Sequence, residues 1–409
     1  MPELKLKIKE LMFLNRRNHA GLQYTVPSSD LYPFQWLWDS CFHAIILSHY
    51  DPEAAKEELL SVLSSPLPSG MLPHIIYHQK PTPGLDGDWG REKRGSFIDK
   101  AWRVEGSSSI TQPCIVALAV HRVLEVAPDP EFLAEVFPIL EDHFEYLHRE
   151  RVVDSHYPLL AIINPDESGE DNSPRFDLAL NLPPQHSANT HLDARLDLIN
   201  QYASCSFKFE DCMENHFSVI DVPFNILYAE DLKHLANLAY KLGEEDKAEI
   251  FNKRADEVLK SLRTYLWNDG KFKSYDAITG RFIEVSTWAI FMPLYAGLLT
   301  KEEARKLIFT ELLNENNFKA PFGIRTTSQT ELSFDAEDGF WRGPIWFAPH
   351  WFIYQGLKRY DFDELAEDLQ KNSINLLNQS GFREQYHPTS GQGQGARNFT
   401  WGGLVIDMV

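Results

Sequence analysis

No apolar run in this sequence is long enough to span a bilayer. A signal-peptide pattern is also missing. The opening stretch, MPELKLKIKELMFLNRR, alternates charged and apolar residues and leads to no cleavage site, so a cytoplasmic protein is expected. Excess positive charge is absent as well. There are 59 acidic against 39 basic residues, a formal charge of −20. Nucleic acid and anionic membranes are therefore not expected partners, because both call for a basic surface. Cysteine is scarce, at four residues, and no CxxC pair occurs. Cys41 and Cys114 lie in apolar, helix-like stretches suited to buried thiols. Cys205 and Cys212 are close enough for a disulfide or part of a metal site, but free thiols are the expectation in a reducing cytosol. No low-complexity linker divides the chain, so residues 1–409 are read as one domain. A homo-oligomer is compatible with all of this.

What the sequence does have is helical periodicity. In EEDKAEIFNKRADEVLKSLRTYLW, the apolar positions Ala248, Phe251, Ala255, Val258, Leu259 and Leu262 fall on one helix face. Start and stop signals agree with that period. Asp51 and Asp129 are N-caps followed by Pro52 and Pro130, Thr300 and Glu303 form a capping box, and Gly243 ends a helix. Many segments pair an apolar helix with an amphipathic one after a short turn. YPFQWLWDSCFHAIILSHY precedes DPEAAKEELLSVL, and GPIWFAPHWFIYQGLKRY precedes DELAEDLQKNSINLLN. Inner helices covered by outer ones, repeated around a ring, make an all-α toroid. Two long segments, about 79–110 and about 154–192, interrupt the pattern and are read as lid-like insertions.

Aromatic residues cluster beside polar ones. Trp36 and Trp38 accompany Asp39, Trp341 and Trp346 flank Arg342, and Trp401 follows Asn398. A single tryptophan is best explained as core. Three such clusters suit a sugar site, since aromatic faces stack on the C–H faces of a sugar ring and polar neighbours bind its hydroxyls. The run 167–177 adds Glu167, Glu170, Asp171 and Asp177 beside Asn172 and Arg175, in a loop-forming context. The last block, GFREQYHPTSGQGQGARNFTWGG, supplies Glu384 ahead of a glycine–glutamine loop that lacks the phosphate-loop pattern. Glycoside hydrolysis needs two carboxylates, one protonated to donate to the leaving oxygen; in inverting enzymes the other activates water, and the two carboxyls sit about 6.5–9.5 Å apart. Asp171 and Glu384 are the candidates, with Glu167, Glu170 and Asp177 still open as the acid. An acid next to Arg175 would be held ionised, so Arg175 is expected to turn to Asp177 or another carboxylate.

The blocks WLWDSCFHAI, DNSPRFD, DVPFNIL, WRGPIW and E-x-YHP…TSGxGxG…TWGGL occur in one order across nearly the whole chain. In this the sequence resembles glycoside hydrolase family 63, especially its short bacterial mannosylglycerate and glucosylglycerate hydrolases. The resemblance implies an (α/α)6 barrel and an inverting α-glycosidase; the two long segments are read as loops forming a lid over the pocket, and the mechanism calls for no cofactor and no metal. It implies Asp171 as general acid and Glu384 as general base; Asn172, next to the acid, is expected to orient it and to contact the substrate. Substrate contacts are implied for Tyr32, Trp36, Trp38, Asp39, His74, Gln112, Arg195, Trp341, Arg342, Trp346, Tyr386, Gln392, Gln394 and Trp401. Two positions depart from the glycerate-acting pattern: Phe340 stands where tyrosine is usual and Phe399 where glutamine is usual. The implied partner is a small carbohydrate.

Three rivals are weighed against this. A sugar epimerase on the same toroid would use histidines such as His74, His216, His350 or His387. A phosphorylase would not need Glu384. A carbohydrate-binding protein would keep the tryptophans without needing both carboxylates. His186, His191 and Asp193 match no established zinc spacing, and Asp86 and Asp88 make only a fragment of a calcium loop.

Overall fold

A computed structural model describes residues 2–78, 102, 105–208 and 216–408. The chain begins with helix α1 (Pro2–Asn15), followed by α2 (Leu37–Ser48) and α3 (Pro52–Leu63). Next come α4 (Val116–Val126), α5 (Pro130–Glu150), α6 (Ala188–Ser204), α7 (Val222–Leu242) and α8 (Glu245–Ser261). Short α9 (Met292–Tyr295) and α10 (Lys301–Leu307) lead to α11 (Phe347–Arg359) and α12 (Asp363–Ser380), and a 3-10 segment, Thr400–Met408, closes the chain.

Capping signals act where they stand in the sequence. The Asp51 and Asp129 side chains accept from the Ala54 and Phe132 amides, and the Thr300–Glu303 capping box is complete. Gly243 ends α7 in the left-handed region, at φ +77°. Every residue of α2 is buried, whereas α8 buries one face built on Ala248, Phe251, Ala255 and Val258. This difference between inner and outer helices follows from how they pack. Helices α2, α4, α7, α9, α11 and the segment Thr400–Met408 neighbour one another in cyclic order. α3, α8 and α12 cover α2, α7 and α11, α5 lies against α7 and α3, and α1 covers the C-terminal segment. The sixth pair of this (α/α)6 toroid thus joins the two ends of the chain.

Short antiparallel pairings decorate the loops, which the helical period does not foretell. Gln35–Trp36 pairs with Ile75–Ile76, and Arg383–Tyr386 with Gly393–Arg397. Of the segment read as 79–110, only Trp102 and residues 105–110 are among those described. In the second insertion, residues 159–177 are largely buried as a wall, and α6 stands alongside them. Cys41 and Cys114 are free and buried. Cys205 is disulfide-bonded, which corrects the expectation of a free thiol. It caps α6 where the chain reverses sharply through Ser206 and Phe207, both at φ +55°, a geometry that spacing alone does not reveal. Among the described residues, no helix is long and apolar enough to cross a membrane.

Candidate active site

At one end of the ring lies a cavity of about 710 Å³, within the size range of small-molecule sites. Its wall is aromatic because inner elements begin here with tryptophan. Trp36 and Trp38 stand at the start of α2, and Trp401 near the start of the C-terminal 3-10 segment. Trp341 and Trp346 stack with centroids 4.1 Å apart at 9°, and Trp401 lies 5.4 Å from Trp346 and 5.0 Å from Trp38. Polar groups are set into this wall. Trp401 Nε1 donates to Asp39 Oδ1 at 2.7 Å, and burial lifts the Asp39 carboxyl to about 6. Gln112 accepts the Trp38 amide at 3.2 Å. His74 Nδ1 lies 3.0 Å from Ser108 Oγ, and burial pulls its pKa down to about 3, so the ring is neutral at pH 7.

Buried arginines settle which carboxylate of the 167–177 run meets the cavity. Arg151 grips Glu167 through two hydrogen bonds, 2.8 and 2.7 Å long. Arg175 donates to Glu170 at 2.7 Å and to Asp221 at 3.2 Å, so it turns to acids other than Asp171, as charge balance requires. Arg342 and His186 hold Asp177. Asp171 faces the cavity, with 34% of its side chain open to it. Gly169 brings the loop this close: a Cβ there would lie 2.3 Å from the Trp38 ring, and its φ is +72°.

Arg195, on α6, donates to Asp171 Oδ2 at 2.9 Å through the same nitrogen that pairs more tightly with Asp166. Burial pushes the Asp171 carboxyl up, Arg195 opposes that, and the Asp166 charge adds to it. The expectation that Asn172 orients Asp171 is corrected. Asn172 donates to Gly339 O at 3.2 Å and accepts Trp341 N at 3.0 Å, tying the acidic loop to the WRGPIW segment instead.

Glu384 sits on the hairpin strand Arg383–Tyr386, opposite a bulge in Gly393–Arg397. Tyr32 OH donates to Oε1, and the Ala396 amide to Oε2 at 2.8 Å. Gly395, at φ +62°, makes room: a Cβ there would fall 2.2 Å from Oε2. Burial lifts the Glu384 pKa to about 7, the two donors pull it down, and the charge of Asp171 pushes it up. The two carboxylates thus come from separate elements and sense each other across one cavity.

Asp39, His74, Gln112, Asn172, Arg195, Gln394 and the five tryptophans named in the sequence all line the cavity, as does Tyr32. Gln394 Nε2 also ties its hairpin to Ala336 O and Glu337 O, at 2.9 and 2.7 Å. Three other candidates lie outside the lining. Arg342 is spent on Asp177 and the Pro184 carbonyl. Tyr386 is fully buried, its hydroxyl donating to Gly381 O and accepting the Arg383 amide. Gln392 is exposed, and its carbonyl accepts the His387 amide within the turn. Of the histidine rivals, His74 lines the cavity, whereas His350 and His387 serve the scaffold. His350 Nε2 accepts Ile324 N at 3.0 Å, and His387 Nδ1 accepts the Thr389 and Ser390 amides. His186 is taken by Asp177, and among the described residues no group of three or more His, Cys, Asp or Glu is placed to hold a metal.

Sequence reasoning missed Asp166 and Trp102, and the α6 face Leu192, Leu196 and Ile199, which also line the cavity. The i, i+4, i+7 spacing of that face, with Arg195 beside it, was a readable signal.

The sequence matches the family described as the mannosylglycerate hydrolase MGH1-like glycoside hydrolase domain over residues 32–402. It is 33% identical to the mannosylglycerate hydrolase of Thermus thermophilus, over 94% of this chain and 96% of that protein. It is 27% identical to the glucosylglycerate hydrolase of Mycolicibacterium hassiacum, over 96% of this chain and 95% of that one. A crystal structure of the family 63 mannosylglycerate hydrolase of Thermus thermophilus in complex with Tris superposes with a TM-score of 0.87 at 30% identity, covering 99% of both chains.

Proposed function

The chain belongs to the mannosylglycerate hydrolase MGH1-like glycoside hydrolase family and is a glycoside hydrolase; we propose that it is an inverting α-glycosidase acting on a small α-mannoside or α-glucoside. One observation carries this reading: Asp171 and Glu384 face one tryptophan-walled cavity from different elements. Asp171 is the general acid. Burial favours its protonated form, and Arg195 is shared with Asp166, which blunts the opposing pull on the proton. Glu384 is the general base. Both its oxygens receive donors, a setting that suits an anion even as burial raises its pKa.

The sugar packs its C–H faces on Trp38, Trp341, Trp346 and Trp401, with Asp39, His74 and Gln112 at its hydroxyls. Asp171 protonates the glycosidic oxygen as the bond to the anomeric carbon breaks. Glu384 takes a proton from water as that water attacks the opposite face. The free sugar leaves as the β-anomer, and the aglycone leaves as its alcohol. No step draws on a metal or organic cofactor.

NMR with a panel of α-mannosides and α-glucosides, the glycerate conjugates among them, tests the reading. The β-anomer should appear first. Release of the α-anomer would replace inversion with retention, and no release from any member would refute the reading.

A further inference from the structure

We propose that the protein carries a second binding site, for a neutral polyhydroxy compound such as a free sugar or a polyol, whose occupant acts on the acid loop from behind. The effect on the acid rests on the α-glycosidase reading; the site itself does not. A cavity of about 380 Å³ lies outside the tryptophan-walled one and shares no lining residue with it. Four polar residues in its wall, Arg175, Ser274, Thr287 and Ser328, are each exposed by 5% or less. Polar side chains this deep are ordinarily hydrogen-bonded, yet among the described residues the Thr287 hydroxyl has no partner. A ligand hydroxyl supplies one. Phe272 and Ile290 add apolar surface for the C–H faces of such a ligand. Charges at the rim are matched. Lys271 pairs with Glu311 at 2.6 Å and Lys273 with Glu284, while Glu331 accepts the Ser286 amide at 2.8 Å. Matched charge, hydroxyls and an aromatic face together favour a neutral polyol over an ion.

The inner wall of this cavity is also the back of the acid loop. Arg175 donates to Glu170 at 2.7 Å, and Glu170 is the residue before Asp171. Thr287 and Ala289 line the cavity, and Trp288 between them donates through its indole to the same Glu170 oxygen at 2.7 Å. Ser274 donates to Asp221, the other partner of Arg175, at 2.9 Å. The wall and the acid thus share one buried ion cluster. A ligand that draws on Thr287 or Arg175 shifts Trp288 or Glu170 with it, because an interior packed this closely transmits strain. Asp171 then moves relative to the glycosidic oxygen.

The test measures initial rates of the full-length enzyme on a glycoside that it cleaves, with mannose, glucose, glycerol or mannitol added. A solute confined to the catalytic cavity competes and raises KM alone, whereas one in the second cavity changes kcat at saturating substrate. At least one neutral solute should change kcat by about twofold or more, the small end of coupling between sites. Ser286→Trp fills the second cavity from a partly exposed position and should abolish the kcat effect while competition persists. Thr287→Val should raise the concentration giving half the effect by roughly three- to tenfold, the size of one neutral hydrogen bond. An effect of mannose or glucose alone marks a site for the released sugar, and one of glycerol or mannitol marks a site for polyols. Competition alone from every solute, a kcat effect that survives in Ser286→Trp, or a Thr287→Val enzyme with an unchanged response overturns the inference. So does an effect of inorganic phosphate with none from any neutral solute. If no glycoside is cleaved, the glycosidase reading falls, and calorimetric titration with the same solutes decides the site separately. Binding heat lost in Ser286→Trp upholds it, and equal heat in both proteins overturns it.

Discussion

At the scale of single residues, the proposed mechanism depends on two carboxylates, one protonated and one ionised at the same pH. Glu384 has to be ionised to accept a proton from water. With its pKa raised to about 7, kcat/KM should fall as the pH drops below about 7. The Tyr32 hydroxyl donates to it and favours the anion. Tyr32→Phe removes that donor and lifts the pKa further, so the acidic limb of a pH–rate profile should move to higher pH. A limb that stays put or moves down would separate Tyr32 from the base. Asp171→Asn and Glu384→Gln should each cut kcat by about 10²–10⁴ while circular dichroism shows the fold retained. Near-normal turnover in either variant would remove that residue from its role.

At the scale of elements, the glycine–glutamine hairpin shows how a backbone conformation aims a side chain. Gly395 carries the bulge at φ +62° and leaves the space that the Glu384 carboxylate fills. Gly395→Ala should cost about 1–2 kcal/mol from the left-handed backbone alone, read from urea unfolding. Its larger effect should be on kcat, because a Cβ 2.2 Å from Oε2 must displace the base. Full activity in this variant would show that Glu384 tolerates displacement. The helices were legible in advance because caps such as Asp51, Asp129 and Gly243 act on their own chain neighbours. The hairpin was not, because GQGQGAR has no β-branched or aromatic residue to mark a strand.

At the scale of the whole molecule, the ring closes through its ends. Asp407, in the last segment, accepts from Trp351 Nε1 at 2.9 Å, lies 2.8 Å from His49 Nε2 and pairs with Arg122. These groups belong to or adjoin α11, α2 and α4, so one carboxylate fastens three inner elements. Asp407→Ala should therefore destabilise the protein by roughly 1–3 kcal/mol, the cost of leaving the buried Trp351 donor unpaired, since Arg122 and His49 are partly open to water. Urea denaturation would measure it, and a loss within ±0.5 kcal/mol, as for an ordinary surface substitution, would contradict the closure role. The same segment places Trp401 in the cavity wall, which couples ring closure to the candidate site.

Helix positions, caps, the inner–outer alternation and the clusters of tryptophan beside polar residues are set by the sequence alone, since each depends on neighbours a few positions away. The resemblance in five ordered blocks pointed to Asp171 and Glu384, but the residues themselves left Glu167, Glu170 and Asp177 open. Only the tertiary structure decides which of these faces the cavity. Arg151 and Arg342 reach Glu167 and Asp177 from 16 and 165 residues away, and Arg175 is shared between Glu170 and the distant Asp221. The same holds for Arg342, Tyr386 and Gln392, which the motifs suggested as substrate contacts and the packing assigns to the scaffold. A carboxylate's protonation and its exposure to a ligand depend on the charges and atoms around it in space. Those neighbours arrive by long-range folding, and local sequence does not name them.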